Sequence, residues 1–151
     1  MIRHLTFLSI VVLGGLAVSC TTAESPAVDA RDLDPFSPEA FCAYETGDPT
    51  AGKALFDQLV LGSGAGCITC HSLEAGQVLV GPSLYNLVET AENRIPGVLA
   101  ANYIYLSITQ PNHYIVQGFP EGLMPPTYST DLTDEEITNL VSYLMTLSAE
   151  N

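Results

Sequence analysis

The sequence predicts an all-α fold. Three observations carry that expectation: stretches with apolar positions at helical spacing, each with its own start signal; breaks marked by Gly and Pro; and no run that alternates at period two. There are no internal repeats and no low-complexity tract.

The elements follow in order. Asp48 is suited to cap a helix and Pro49 to open it, and Ala51, Leu55 and Leu59 recur at helical spacing. Gly62-Ser63-Gly64-Ala65-Gly66 then ends that helix. Gly81-Pro82-Ser83-Leu84 forms a loop that opens a short helix through Tyr85, Leu87 and Val88. A third helical stretch is expected from Ile95 to Thr109, stopped near Pro111. Residues 110–132 hold Pro111, Pro120, Pro125, Pro126, Gly118 and Gly122 and read as an extended loop. The last helix is expected from about Thr133 to Ser148. It is opened by the capping box Thr133-Asp134-Glu135-Glu136, with acids at the positive end of its dipole. Ile137, Leu140, Val141, Leu144 and Met145 form its apolar stripe.

What precedes Asp48 is of another kind. Met1 to His4 is a short basic segment, and Leu5 to Val18 is apolar apart from Thr6, Ser9 and two glycines. That is the layout of a secretory signal peptide, shorter than the roughly 20 residues of a bilayer-spanning helix. Leu16-Ala17-Val18-Ser19-Cys20 resembles the lipobox of bacterial lipoproteins, which implies that Cys20 becomes the acylated first residue. The expected organisation is a signal peptide over 1–19, a lipid-anchored tether over 20–47 and one folded domain over 48–151. The expected location is extracytoplasmic, on the periplasmic side, with a membrane anchor at Cys20. The tether is rich in Pro and acids, has room for a short helix from Ser37 to Tyr44, and contains Cys42, to which no function is assigned.

The chain carries 17 Asp and Glu against 4 Lys and Arg, a net charge of −13. Nucleic acid is excluded as a partner, since phosphate recognition needs the opposite sign. No acid–base pair, nucleophile or substrate pocket is evident, so a small-molecule substrate is not expected.

The informative stretch is Cys67-Ile68-Thr69-Cys70-His71. With 4 Cys and 3 His in 151 residues, C-x-x-C-H arises by chance with a probability of about 0.002. A thioredoxin-like site would need βαβ flanks, and structural zinc would need a fourth ligand. A covalent c-type haem fits directly: two thiols one helical turn apart add to the vinyl groups of one haem edge, and the adjacent His71 is carried to the iron. For the sixth ligand the candidates are Met124, Met145 and His113. Met145 lies on the core stripe and His113 in a polar loop. Met124 stands in Gly122-Leu123-Met124-Pro125-Pro126, where prolines stiffen a loop that can hold the sulfur rigidly. Met124 is the expected ligand, giving a His/Met iron.

Residues 48–149 resemble the monohaem class I cytochromes c. Gly52-Lys53-Ala54-Leu55-Phe56 looks like the family's first helix and Tyr143 like the aromatic of its last. Cys67 to His71 is the haem motif, and Met124-Pro125-Pro126 is similar to the distal loop. The resemblance implies that the carbonyl of Pro82 accepts a hydrogen bond from the proximal imidazole, that the first and last helices cross, and that one haem c is enclosed by loops. It also implies one-electron transfer with redox-protein partners. Two roles follow: a membrane-tethered carrier between a quinol-oxidising complex and a terminal oxidase or reaction centre, or a fixed monohaem subunit of such an assembly. The layout is similar to lipid-anchored cytochromes of alternative complex III and to oxidase-associated cytochrome domains. An alternative from another class is a haem-based ligand sensor or peroxidase with Met124 displaceable.

Overall fold

The computed structural model describes residues 46–148. The expected signal peptide, Cys20, Cys42 and nearly all of the expected tether lie outside the described residues. Helix α1 spans Pro49–Phe56. The Asp48 carboxylate accepts from the backbone N–H of Thr50 (2.7 Å) and Ala51 (3.3 Å), satisfying two donors at the helix start that have no partner within it. A two-residue ribbon follows, β1 (Val60–Leu61) antiparallel to β2 (Gly64–Ala65). Then come the single-turn helix α2 (Cys67–Cys70), α3 (Leu87–Glu92), α4 (Ala100–Thr109), the short α5 (Tyr128–Asp131) and α6 (Asp134–Leu144).

The buried face of α1 is Gly52 and Phe56, not the Ala51-Leu55-Leu59 register; Leu59 lies beyond the helix and is largely exposed. That face packs on α6. A Cβ at Gly52 would sit 1.9 Å from the backbone oxygen of Asn139, so only glycine permits this approach. One turn on, the rings of Phe56 and Tyr143 meet at 5.4 Å between centroids. The Asn139 side chain, buried between the helices, accepts from the backbone N–H of Asp48 at 2.7 Å. Gly47 also lies against α6, 2.4 Å from the Ser142 Oγ if it bore a Cβ, so the packed unit takes in a residue that the sequence reading placed in the tether.

The α6 capping box forms in full: Thr133 Oγ1 accepts from the Glu136 N–H, and the Glu136 carboxylate from the Thr133 N–H. Ile137, Leu140, Val141 and Leu144 are buried as the stripe predicts, but the helix ends at Leu144, with Met145 as its C-cap. Helix α4 starts at Ala100, five residues later than expected. Pro96 and Gly97, the latter at φ +82°, hold the chain in a turn before it. It is buried on almost every side and packs against α3, α5 and α6, so it is the central core helix. Within residues 110–132 the loop expectation omits α5, whose Tyr128 is buried and donates its hydroxyl proton to the Ala65 carbonyl (2.5 Å). Asp131 accepts from the Ser63 N–H (2.9 Å) and hydroxyl (2.5 Å), fixing the ribbon turn to the same helix. The ribbon is too small to change the fold class.

Candidate functional site

Four residues cannot hold a helix by themselves, because nucleation costs more than one turn returns. The turn Cys67–Cys70 is instead held from both ends. Gly66 precedes it, with its N–H on the Leu59 carbonyl (2.9 Å); a Cβ there would lie 1.6 Å from the Gln58 oxygen. Beyond the turn, the Gly81 N–H donates to Cys70 O and the Leu84 N–H to Ser72 O, both at 2.8 Å. The segment 81–84 is thereby laid along the segment 70–72.

That pairing places Pro82 beside His71. His71 Nδ1 lies 2.8 Å from the Pro82 carbonyl oxygen, which can only accept, so Nδ1 carries the proton and Nε2 keeps its lone pair. Burial holds the imidazole below its ordinary pKa, against the opposing pull of the Pro82 bond, so the ring is neutral at pH 7. Gly81 packs on the face of the imidazole, and a Cβ there would come within 2.5 Å of Cε1.

Cys67, Cys70 and His71 line one wall of an open crevice of about 1370 Å³, its mouth included. Leu61, Leu87, Ile104, Ile108, Leu140 and Leu144 give it an apolar interior. Both thiols are free, and burial, with Cys70 adding to it, pushes Cys67 up to about 11.

Of the residues singled out in the sequence, Cys67, Cys70, His71, Pro82 and Met124 all line this crevice. Met124 comes from the loop before α5. There Gly122 (φ +74°) turns the chain, and its N–H donates to Asn112 Oδ1 at 2.9 Å. Met145 packs against the core and His113 is exposed; neither lines the crevice. Sequence reasoning passed over Gly81 as a contact of the imidazole, Asn112 as the anchor of the distal loop, and Arg94, which also lines the crevice. Only Arg94 had a visible signal, as an isolated cation in an acidic chain.

An apolar slot of this size, two thiols at its wall and a neutral imidazole with its free nitrogen available fit a planar macrocycle attached at two points. The fold and site define a small helical protein of the c-type haem class. Residues 49–148 match the cytochrome c family, and the chain belongs to it. It binds haem c covalently through Cys67 and Cys70, and its general function is haem-based electron transfer. No curated protein matches the chain.

Proposed function

We propose that the chain is a one-electron carrier tethered to the membrane by acylated Cys20, with its haem iron held between His71 and Met124. The observation that supports the ligation is the sorting of the three candidates: Met124 lines the crevice of the haem-attachment residues, whereas Met145 and His113 do not. A thioether opposite a neutral imidazole gives a low-spin iron with a raised potential. Held by both His71 and Met124, the iron would pass electrons rather than take up a substrate.

The partner is a redox protein that docks where the haem edge is closest to solvent. Ile68, Val80 and Leu123 are exposed apolar side chains of segments that border or line the crevice, and no carboxylate stands among its lining residues. Acids concentrate at Glu89 and Glu92 and from Asp131 to Glu136, with Glu74 and Glu121 at the margins of the crevice segments. An uncharged contact patch inside an acidic surround favours basic partners at the encounter stage.

The ligation is tested by spectroscopy of the oxidised protein. Met124→Ala abolishes the weak sulfur-to-iron charge-transfer band at the red end of the visible spectrum and lowers the potential. Met145→Ala leaves both in place. Loss of the band in Met145→Ala instead would overturn the ligation. The tether is tested by Cys20→Ser, which releases red protein from membranes, and by mass spectrometry, where an intact Met1 on the mature protein rules out the acylated form. Extraction separates the two roles: a carrier leaves the membrane alone, and a fixed subunit leaves with stoichiometric partners.

A further inference from the structure

We propose, on the footing of the one-electron docking described above, that the partner seats on the His71 side of the crevice, over the loop 73–80. Its contact face is that of a protein, apolar at the centre and ringed by Lys or Arg. Of the eleven exposed large apolar side chains among the described residues, eight lie between Asp57 and Glu89. Over that span Glu74 is the only Asp, Glu, Lys or Arg, in a chain with 17 acids and 4 bases. A folded chain rarely gathers exposed apolar surface in one place without a use for it, and depletion of charge marks the centre of an interface.

Both sides of the crevice present apolar side chains, and exposure and charge decide between them. On the His71 side Val78, Leu79 and Val80 stand in succession, 60%, 46% and 49% exposed. On the Met124 side Ile115 and Leu123 are 37% and 41% exposed, and Glu121 stands two residues before Leu123. Val80 also lines the crevice, and the Gly81 N–H after it donates to Cys70 O at 2.8 Å. The apolar run is therefore continuous with the wall that carries the attachment thiols. The loop is also pinned. The Glu74 N–H donates to Ser72 Oγ (2.9 Å), and the Glu74 carbonyl accepts from the Gln77 N–H (3.2 Å) and the Ser83 hydroxyl (2.7 Å). A surface fixed before contact loses little conformational entropy when a partner arrives.

Charge selects the occupant. A second copy brings a net charge of −13 against −13. A loop made for a lipid surface carries Lys, Arg or Trp to hold the headgroups, whereas this one carries Glu74 and the chain has no Trp. A protein face with an apolar centre and a basic ring meets the loop at its middle and the acids of the chain around it. Contacts between redox proteins are among the smallest specific interfaces, so one loop and the adjoining crevice mouth are enough.

The experiment is stopped-flow electron transfer with the haem-loaded protein and two cationic probes. Tris(phenanthroline)cobalt(III), apolar like the proposed partner face, takes one electron from reduced haem and becomes cobalt(II). Hexaammineruthenium(II), cationic but without apolar surface, gives one electron to oxidised haem and becomes ruthenium(III). Three like substitutions are compared: Leu79→Asn on the loop, Leu123→Asn on the Met124 side, and Leu59→Asn, which is exposed but away from the crevice. Leu79→Asn slows the cobalt reaction about three- to fivefold and leaves the ruthenium reaction unchanged. Leu123→Asn slows the cobalt reaction less, and Leu59→Asn leaves it unchanged. An unchanged cobalt rate in Leu79→Asn overturns the proposal, as does an equal loss in Leu59→Asn. A larger loss in Leu123→Asn than in Leu79→Asn overturns the choice of side and leaves the uncharged patch standing, whereas no loss in either overturns both. The sulfur-to-iron band, recorded in each variant, separates these results from failure of the Met124 assignment. Two further measurements use Cys20→Ser protein with and without Leu79→Asn. Co-sedimentation with phosphatidylcholine vesicles that Leu79→Asn abolishes would put a lipid surface on the loop, and a dimer in sedimentation velocity that it abolishes would put a second copy there. Either overturns the proposal.

Discussion

Gly81→Ala is the sharpest probe of how the fold tunes the iron. Gly81 is not in the left-handed region, so its backbone accepts alanine without strain. The obstacle is the imidazole: the new Cβ would lie 2.5 Å from His71 Cε1 and 2.9 Å from Nδ1. Carbon contacts settle at about 3.5–4.0 Å, so the ring must retreat by about 1 Å. The 2.8 Å Nδ1–Pro82 bond then stretches to about 3.8 Å, past the usual limit of about 3.2 Å, and is lost. A hydrogen bond of this type contributes about 0.5–1.5 kcal/mol net. The bond makes the imidazole a more basic ligand, which favours oxidised over reduced iron. If its whole contribution acts on the oxidised state, its loss raises the one-electron potential by about 20–60 mV, at 59 mV per 1.4 kcal/mol. Equilibrium redox titration measures this directly. Gly64→Ala is the control, since its Cβ meets nothing closer than the Tyr128 ring at 3.5 Å. A Gly81→Ala protein that keeps its sulfur-to-iron band but has an unchanged or lower potential would refute the reasoning.

Other perturbations test the packing and the surface. Gly52→Ala drives a Cβ into the α6 backbone, which no side-chain rotation relieves. Overpacking of this kind costs about 3 kcal/mol, read as a fall in Tm of about 12–24 °C; a fall of only a few degrees would show that α1 and α6 are not in rigid contact. Tyr128→Phe loses its bond to Ala65, about 1 kcal/mol at neutral pH in a urea titration. Burial pushes Tyr128 up to about 12, against 10 when unfolded. The neighbouring thiols add to this, but that part disappears once they are thioethers. The unfolded chain therefore releases this proton first, and wild-type stability falls between pH 10 and 12; that portion of the slope is missing in Tyr128→Phe. With a net charge of −13, oxidation by a basic partner in stopped flow slows as salt is raised, because screening acts over about 8 Å at physiological ionic strength. Ile68→Lys reduces transfer itself, and a rate indifferent to salt favours the fixed subunit over the carrier.

What the sequence disclosed was whatever a few adjacent residues decide. Asp48-Pro49 and Thr133 to Glu136 mark helix starts because caps satisfy local donors, and Cys67 to His71 is legible because attachment chemistry fixes its spacing. Leu59 misled because periodicity cannot tell which of two registers on a short helix meets a partner. Gly52 and Phe56, marked by the family resemblance and not by periodicity, are the residues that α6 receives. The ribbon has too few residues to alternate, and the late start of α4 was signalled by Pro96-Gly97, which breaks the helical stretch from within. Gly81 and Asn112 act on residues 10 positions away, so no local pattern exposes them.

The parts of the site pull on the iron in opposite directions, and the fold shows which part opposes the others. An apolar crevice disfavours the extra charge of oxidised haem, and the thioether proposed from Met124 would favour reduced iron. Both would raise the potential. The hydrogen bond from His71 to Pro82 would lower it, and the backbone holds that bond in place. Two 2.8 Å backbone bonds lay 81–84 along 70–72, and a glycine presses on the ring so that no side chain can loosen it. Such rigidity keeps the basicity of the imidazole constant, and the distal loop is fastened separately, by the Gly122 N–H on Asn112 Oδ1. Gly81→Ala, which loosens the His71–Pro82 bond, and Met124→Ala, which removes the proposed thioether, should therefore shift the potential in opposite directions. A fall in potential from both variants would mean that the His71–Pro82 bond does not lower it.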